Sequence, residues 1–206
     1  VSETILDTIS PMLLRTFAID SLTVVAVFNK GLDSTISAIP LRYELNAGIG
    51  VPSLAIPQPP LFRQVILTLQ KPLHSAKVYT LMAREILDCS GNTAPLAQEV
   101  KAGLASPPVE GQVRINEILF DPVPGAFDYA ELFNRGPGIV DMQNIYLGNR
   151  NNGLTGSLVK CSEIPWFLFP GEYIALTENS DIVQREYSSA HKDRILEVKS
   201  MPSFPD

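Results

Sequence analysis

Apolar and polar residues alternate along several short runs of the chain. In "RQVILTLQ", Val65, Leu67 and Leu69 occupy alternate positions, with polar residues mostly on the other side. Successive side chains of a β-strand point to opposite faces, so this run predicts a strand with one buried face. "SLTVVAVF" is apolar on both sets of alternate positions, which is typical of a strand inside a sandwich.

Further runs of the same kind predict an all-β chain. In the first half the predicted strands are "LLRTFAI", "AIPLRYEL", with Pro40 confining it to an edge or a bulge, "VYTLMARE" and "QEVKAGL". In the second half they are "VRINEILF", "DYAELFNR", "IVDMQNIYLGNR", "WFLFPGEYIALTEN" and "DRILEVKS". "GIGVPSLAIPQPPLF" is predicted to be irregular. Since helices and strands do not alternate, a doubly wound sheet is not expected.

One short helix is predicted in the second half, in "NSDIVQREY". Ser180 or Asp181 would cap its first N–H groups, and Ile182, Val183 and Tyr187 would lie near one face. The strand count and turn spacing then predict two consecutive β-sandwiches, the second with this helix.

A Pro-rich stretch separates the two predicted sandwiches. "ASPPVEGQ" is short and polar and breaks the strand pattern. We therefore predict a domain at 7–104, a linker at 105–111 and a second domain at 112–206, with 1–6 as the tail of a preceding linker.

Composition and charge limit the classes of partner. The chain has 206 residues, of which 45% are hydrophobic, and a net charge of −6. Because there is no basic stripe, nucleic-acid binding through phosphate neutralisation is disfavoured. No apolar stretch approaches the roughly 18 residues of a membrane span. The chain begins at Val1 without a signal-peptide pattern, so we expect a processed product or a fragment.

Cysteines and histidines give little sign of catalysis or of a zinc site. Cys89 and Cys161 are too few for a disulfide framework and lack metal-ligand spacing. A bridge between them is disfavoured by the distance expected across two sandwiches, and burial or pairing with other domains are the alternatives. His74 and His191 are predicted to lie in surface loops, so a Ser–His–Asp site is not expected.

The stretch "INEILFDPVPGAFDYAELFNR" predicts the first hairpin of the second sandwich. Strict alternation would place Glu117 on the same face as Ile115 and Leu119, and Glu131 on the same face as Tyr129. A pair of carboxylates on such a hairpin does not by itself define a glycosidase.

Asp121 and Asp128 stand at the two ends of the hairpin turn. They could hydrogen-bond the turn backbone. Alternatively, they could contribute with backbone carbonyls to a calcium site, which needs six to eight oxygens. Apart from calcium, no cofactor is expected.

The second half resembles the bacterial lamin tail domain, an immunoglobulin-like sandwich. The matching motifs are "INEILFDP", "DYAELFNR", "IVDMQNIYLGNR" and above all "FLFPGEYIALTENSDIVQREY". The first half, through "SLTVVAVFNKGLDS", "RQVILTLQKPLHSAKVYTL" and "DCSGNTA", looks like a bacterial Ig-like domain. Lamin tail domains usually continue past a segment like "MPSFPD". The resemblance therefore implies a truncated sandwich with an open C-terminal sheet edge that a partner strand could cover.

This pair of domains resembles part of a multidomain surface or secreted protein of the Bacteroidetes, often exported by the type IX route. In that setting "DTI", "DSL" and "DST", starting at Asp7, Asp20 and Asp33, resemble Bacteroidetes O-glycosylation acceptors. Ser21 and Ser34 are the candidate acceptors.

"IPWFLFP" is an apolar run that contains the only tryptophan of the chain. Alternation would place Trp166 and Leu168 on one face and Phe167 and Phe169 on the other. The run would fill the core, or, if one face were exposed, form a docking patch.

Three hypotheses about function follow. The first is a non-catalytic pair of modules, a spacer or adhesion region with protein or cell-surface partners, secreted or on the outer surface of a bacterium. The second is an accessory region of an extracellular nuclease or phosphatase. The third is a subunit docked into a cell-envelope assembly through a partner strand at the open edge.

Overall fold

The computed structural model describes residues 7–94, 97–187 and 194–202. The chain divides into two compact units, Val1–Leu104 and Ala105–Asp206. Each unit has its own hydrophobic cluster. The start of the predicted linker is bonded within the second unit, since the Ser106 amide donates to the Ile139 carbonyl at 3.0 Å. The predicted preceding linker, residues 1–6, lies outside the described residues.

The described residues of the first unit form seven strands in two antiparallel sheets. The strands are β1 (Leu13–Asp20), β2 (Thr23–Phe28), β3 (Tyr43–Leu45), β4 (Leu54–Pro57), β5 (Gln64–Thr68), β6 (Val78–Ala83) and β7 (Gln98–Gly103). One sheet has the order β1-β2-β5-β4 and the other the order β3-β6-β7. The sheets meet along β1 and β7, where the Thr16 hydroxyl donates to the Lys101 carbonyl at 2.7 Å.

The core of the first unit follows the alternation read from the sequence. Val65, Leu67 and Leu69 are all buried, as the pattern of β5 predicts. In β2 the whole run from Val24 to Phe28 is buried, so both of its faces are covered. Burial of both faces agrees with the apolar residues on both sets of alternate positions in this run.

Two details of the first unit differ from the sequence prediction. Pro40 lies in a 3-10 turn, Pro40–Arg42, and β3 starts only at Tyr43. The segment predicted to be irregular contains β4, which pairs with β5 and buries Ala55 against it. Because β4 is the outer strand of its sheet and Pro57 ends it, proline costs the ladder little there.

In the part of the second unit that the structure describes there are eight strands and one α-helix. They are β8 (Val113–Leu119), β9 (Tyr129–Asn134), β10 (Val140–Asp141), β11 (Tyr146–Asn151), β12 (Leu154–Lys160), β13 (Phe167–Leu168), β14 (Tyr173–Thr177), α1 (Ser180–Glu186) and β15 (Ile195–Glu197). A four-stranded sheet has the order β15-β14-β9-β8, and β10-β13 and β11-β12 form two further antiparallel pairs. The β14–β15 pair is parallel, with α1 in the connection. No helix in the described ranges has the length and hydropathy of a transmembrane helix.

Aromatic and aliphatic residues of "IPWFLFP" lie in the core of the second unit. Phe167, Leu168 and Phe169 are buried. Leu168 belongs to the hydrophobic cluster of the second unit, and Trp166 packs against that cluster. Core filling is therefore the correct interpretation, although the regular strand is limited to Phe167–Leu168.

Strand β12 was absent from the sequence prediction. Its large apolar residues Leu154 and Leu158 are 76% and 60% exposed, and Gly, Thr and Ser surround them. The strand is held by pairing with β11 rather than by burial of one face. For this reason it lacks the local hydrophobic pattern that marks other strands.

The hairpin β8–β9 is confirmed, but its register breaks the predicted alternation. A bulge between Ile115 and Glu117 places Ile115 opposite Leu132 and Glu117 opposite Glu131. Since Leu132 and Glu131 are neighbours in β9, their side chains point to opposite faces. The prediction that Ile115 and Glu117 share a face is therefore wrong, because the bulge adds one residue between them.

Candidate binding groove

A groove of about 660 Å³ lies on one face of the four-stranded sheet of the second unit. Strands β9 and β14 supply Tyr129, Glu131 and Tyr173 to its lining. The pairing of Ala175 with Glu131, and of Tyr173 with Phe133, places these side chains on a common face. Helix α1 contributes Val183 near the same face. The groove is therefore a product of strand register and of the β14–α1–β15 connection.

Aromatic rings are held in fixed positions along this face. Tyr173 stacks on Phe133, with ring centroids 4.4 Å apart and an interplanar angle of 25°. Tyr129 meets Tyr187 edge-on, at 6.0 Å and 68°. Both arrangements are favoured geometries for aromatic pairs. Tyr173 is nevertheless 40% exposed, so part of its ring is available to a ligand.

The polar side chains on this face are hydrogen-bonded to one another. Asn116, the residue added by the bulge, donates through Nδ2 to Glu131 Oε1 at 2.7 Å. The Tyr129 hydroxyl donates to Glu117 Oε1 at 2.5 Å. Burial, followed by the hydrogen bond to Glu117, raises the pKa of Tyr129 to about 12, so it remains a neutral donor at physiological pH.

Among the residues that the structure describes, Arg194 is the basic residue of the lining. Arg194 Nη2 lies 3.1 Å from Glu172 Oε1, and the Glu172 side chain is only 12% exposed. This ion pair orients the guanidinium beside the groove, where its other N–H groups can donate. The groove therefore combines hydrogen-bond donors, acceptors and ring surfaces.

The bulge is the feature of this site that the sequence reasoning missed. The sequence pattern indicates the carboxylates of Glu117 and Glu131, but not the amide of Asn116 or the rings around them. No local pattern marks the extra residue, because the bulge is defined by the register with β9.

The two turn aspartates lie near a third carboxylate. Burial, and then the charges of Glu178 and Asp121, raise the pKa of Asp128. Glu178 accepts from the Met201 amide at 2.6 Å. Among residues 7–94, 97–187 and 194–202, no three or more His, Cys, Asp or Glu side chains form a group suited to holding a metal ion. Calcium binding by Asp121 and Asp128 stays a prediction.

Comparisons with known proteins assign no family to the chain. No protein-family model matches it. No curated protein matches it either. Among solved structures it is similar to the S-layer protein rSbsC(31-844), at 14% identity over 71% of this chain, with a TM-score of 0.43. It is also similar to domains 1–6 of the surface layer protein SbsC, at 16% identity over 79% of this chain, with a TM-score of 0.43. The chain spans 22% and 19% of these two structures.

The three Asp-Ser/Thr motifs share one local geometry. Asp7, Asp20 and Asp33 each accept, through Oδ1, from the backbone amide two residues further on, at 3.1, 2.7 and 2.8 Å respectively. These Asx turns give a conformational reason for aspartate at each position. Ser21 is half-buried and Ser34 is exposed, and glycosylation of either stays a prediction.

Of the two cysteines, Cys161 belongs to the same unit as the groove and is not among its lining residues. Cys89 and Cys161 are both free, the first exposed and the second buried. Burial raises the pKa of the Cys161 thiol to about 12, so it stays protonated at neutral pH. His74 is exposed, as predicted, and His191 lies outside the described residues.

Proposed function

We propose that the chain is a non-catalytic pair of immunoglobulin-like β-sandwiches that serves as a spacer or adhesion region of a larger secreted or cell-surface bacterial protein. The observation that carries this proposal is the open groove on a sheet face, which is lined by aromatic rings. The polar side chains on that face are hydrogen-bonded to one another. A rigid surface with exposed rings and oriented hydrogen-bonding groups is suited to recognition. The resemblance of 112–206 to lamin tail domains and of 7–104 to bacterial Ig-like domains supports the same assignment.

The electrostatics of the groove also favour binding over catalysis. Catalytic carboxylate pairs depend on environments that push their two pKa values apart, usually through burial of one group. Here Glu117 is exposed and accepts from a neutral phenol, and Glu131 accepts from a neutral amide. Neither carboxylate is fully buried, and both act as hydrogen-bond acceptors on this face.

The proposal can be tested by measuring binding and turnover on the same preparation. Fluorescently labelled chain 1–206 is incubated with intact cells of the source organism, and with chromogenic ester, phosphate and glycoside substrates. We expect saturable cell binding for an adhesion region, no saturable binding for a spacer, and no turnover in either case. Turnover that disappears in Glu131→Gln would show an enzyme and contradict the proposal.

An exposed sheet edge favours a second candidate, a subunit docked through an added strand. In the described part of the sheet, β15 lies at the C-terminal edge, where a partner strand was predicted, and β8 lies at the opposite edge. Ile115 and Phe120, on and next to β8, are 50% and 52% exposed. Free main-chain groups beside apolar side chains are what an incoming strand uses.

Docking can be tested on a complex isolated from the native envelope. Ile115→Lys in β8 should release a strand partner, because it puts a charge beside the added strand. Leu41→Lys, at a 77% exposed position of the first unit, is the matched control. Equal retention of the partner by both variants would rule out docking at β8.

A further inference from the structure

We propose that the groove of the second unit binds a neutral saccharide chain. In this arrangement Tyr173 provides a stacking surface, and Asn116, Glu131 and Arg194 hydrogen-bond sugar hydroxyls. The inference rests on the proposed adhesion function and names its ligand class.

The ring of Tyr173 is an exposed aromatic surface in the groove. Phe133 covers one face of Tyr173, while Tyr173 remains 40% exposed and lines the groove. The ring is therefore fixed on one side and open on the other. The C–H face of a pyranose is apolar and packs on the negative face of an aromatic ring. A rigid tyrosine presents such a surface at a low cost in side-chain entropy.

A second aromatic surface lies further along the same strands. Tyr173 pairs with Phe133, which is four residues from Tyr129 in β9. At about 3.3 Å per residue, the two tyrosine positions are separated by roughly 13 Å along the sheet. Tyr129 is itself braced edge-on by Tyr187. This separation suits an extended ligand of more than one ring rather than a single monosaccharide.

The polar groups select against charged ligands. A phosphate or carboxylate would face the carboxylate of Glu131, and a cation would face the guanidinium of Arg194. Sugar hydroxyls both donate and accept, so they match a lining that contains carboxylate acceptors, a guanidinium donor and an amide. A neutral polyol is therefore the ligand chemistry that the lining fits best.

The size of the groove agrees with this class of ligand. Its volume of about 660 Å³ lies within the range of about 300–1,000 Å³ typical of small-molecule sites. The site lies on a sheet face, which suits a ligand extended along the strands. Binding would then recognise internal units of a polysaccharide.

The test uses chain 1–206 and defined oligosaccharides in isothermal titration calorimetry. The neutral probes are cellohexaose, chitohexaose, mannohexaose and laminarihexaose, and the charged probes are oligogalacturonate and a chitosan oligomer. We expect at least one neutral probe to bind. Tyr173→Ala should weaken that binding at least about tenfold, through loss of the stacking surface.

Control variants separate recognition from folding. Tyr173→Phe keeps the ring and should retain binding, while Glu131→Gln should weaken it. Tyr146→Ala removes a tyrosine that is 55% exposed but does not line this groove, and it should bind like the wild type. Equal losses in Tyr146→Ala and Tyr173→Ala would overturn the assignment of the site.

Two outcomes distinguish failure of this inference from failure of the proposed function. If labelled chain binds cells saturably but no neutral probe binds, or only a charged probe binds, the ligand class is wrong and the adhesion function stands. If a probe is cleaved and Glu131→Gln abolishes cleavage, the chain is an enzyme and both proposals fall.

Discussion

At the scale of single residues, Asp88 shows how a turn aspartate becomes part of the core. It is 2% exposed, and its Oδ2 lies 2.5 Å from Lys30 Nζ. Its Oδ1 accepts from the amides of Ser90 and Asn92, each at 2.9 Å. Burial by itself would raise the pKa of Asp88, but these hydrogen bonds outweigh it and hold the pKa well below its usual range. The carboxylate is therefore ionised in the folded state.

We expect Asp88→Ala to lower the free energy of unfolding of the first unit by about 1.5–3 kcal/mol, the contribution typical of hydrogen bonds to a charged group. Asp7→Ala, which removes the more exposed partner of Lys30, should have a smaller effect. Urea denaturation of both variants and the wild type measures the difference.

The effect of Asp88 should depend on pH. Because the pKa of Asp88 is depressed on folding, its stabilisation is fully present above the unfolded value of about 3.9. It is lost as the pH falls below that value through the folded pKa. The deficit of Asp88→Ala should therefore shrink in denaturation curves recorded from about pH 5 to about pH 2. A deficit that stays constant across this range would contradict the ion-pair explanation.

Asp128 presents the opposite case. Its pKa is raised on folding, so the protonated form is favoured and stability falls as the pH rises through the unfolded value towards the folded one. We expect Asp128→Asn to be at least as stable as the wild type at neutral pH without calcium. Thermal denaturation with and without millimolar calcium tests whether calcium binds at Asp121 and Asp128. Stabilisation of the wild type but not of the variant would support calcium, and equal curves would exclude it at that concentration.

At the scale of elements, helix α1 is confirmed, but neither of its two predicted caps, Ser180 or Asp181, is the N-cap. Asn179 is the N-cap, and its side chain accepts from the Ile182 amide at 3.0 Å. Ser180 instead donates from its amide and hydroxyl to Glu197 in β15, at 2.9 and 2.8 Å. The predicted cap residue is thus used to tie the helix to the next strand. That choice depends on Glu197, which is distant in sequence.

Asn179→Ala should lower the stability of the second unit by about 0.5–2 kcal/mol, because it leaves an N–H of the first helical turn without its cap. Asp181→Ala removes only a favourable charge near the helix N-terminus and should cost less. Chemical denaturation followed by Trp166 fluorescence compares the two variants. If Asp181→Ala cost more than Asn179→Ala, the assignment of the cap would be wrong.

At the scale of the whole molecule, each unit has a core made of its own residues. Leu67 is fully buried in the first cluster and Ile174 is 1% exposed in the second. We expect Leu67→Ala and Ile174→Ala each to cost about 2–5 kcal/mol, through lost burial and a residual cavity.

The fluorescence of Trp166, the only tryptophan, distinguishes unfolding of the second unit from unfolding of the first. Trp166 packs against the second cluster, so its fluorescence should follow the Ile174→Ala change. Far-ultraviolet circular dichroism follows both units and should also register Leu67→Ala. An equal shift of the Trp166 transition by both substitutions would contradict separate cores.

The sequence by itself determined most strands, because alternation is a local property of a chain that buries one face. β2, β5, β9 and the hairpin at Asp121–Asp128 could all be predicted in this way. Strands β4 and β12 could not be predicted from alternation. Prolines lie in and around β4, and the leucines of β12 are exposed, so neither strand has a clear apolar face. Both strands depend on pairing with a neighbouring strand.

Only the tertiary structure decided the candidate groove. Tyr129 and Tyr173 are far apart in sequence and share a face through the β9–β14 register. The bulge beside Asn116 and the crossover through α1 add the amide and the helix to that face. Side-chain direction is set locally within a strand. Which strands lie side by side, and in what register, depends on long-range pairing that no short stretch of sequence encodes.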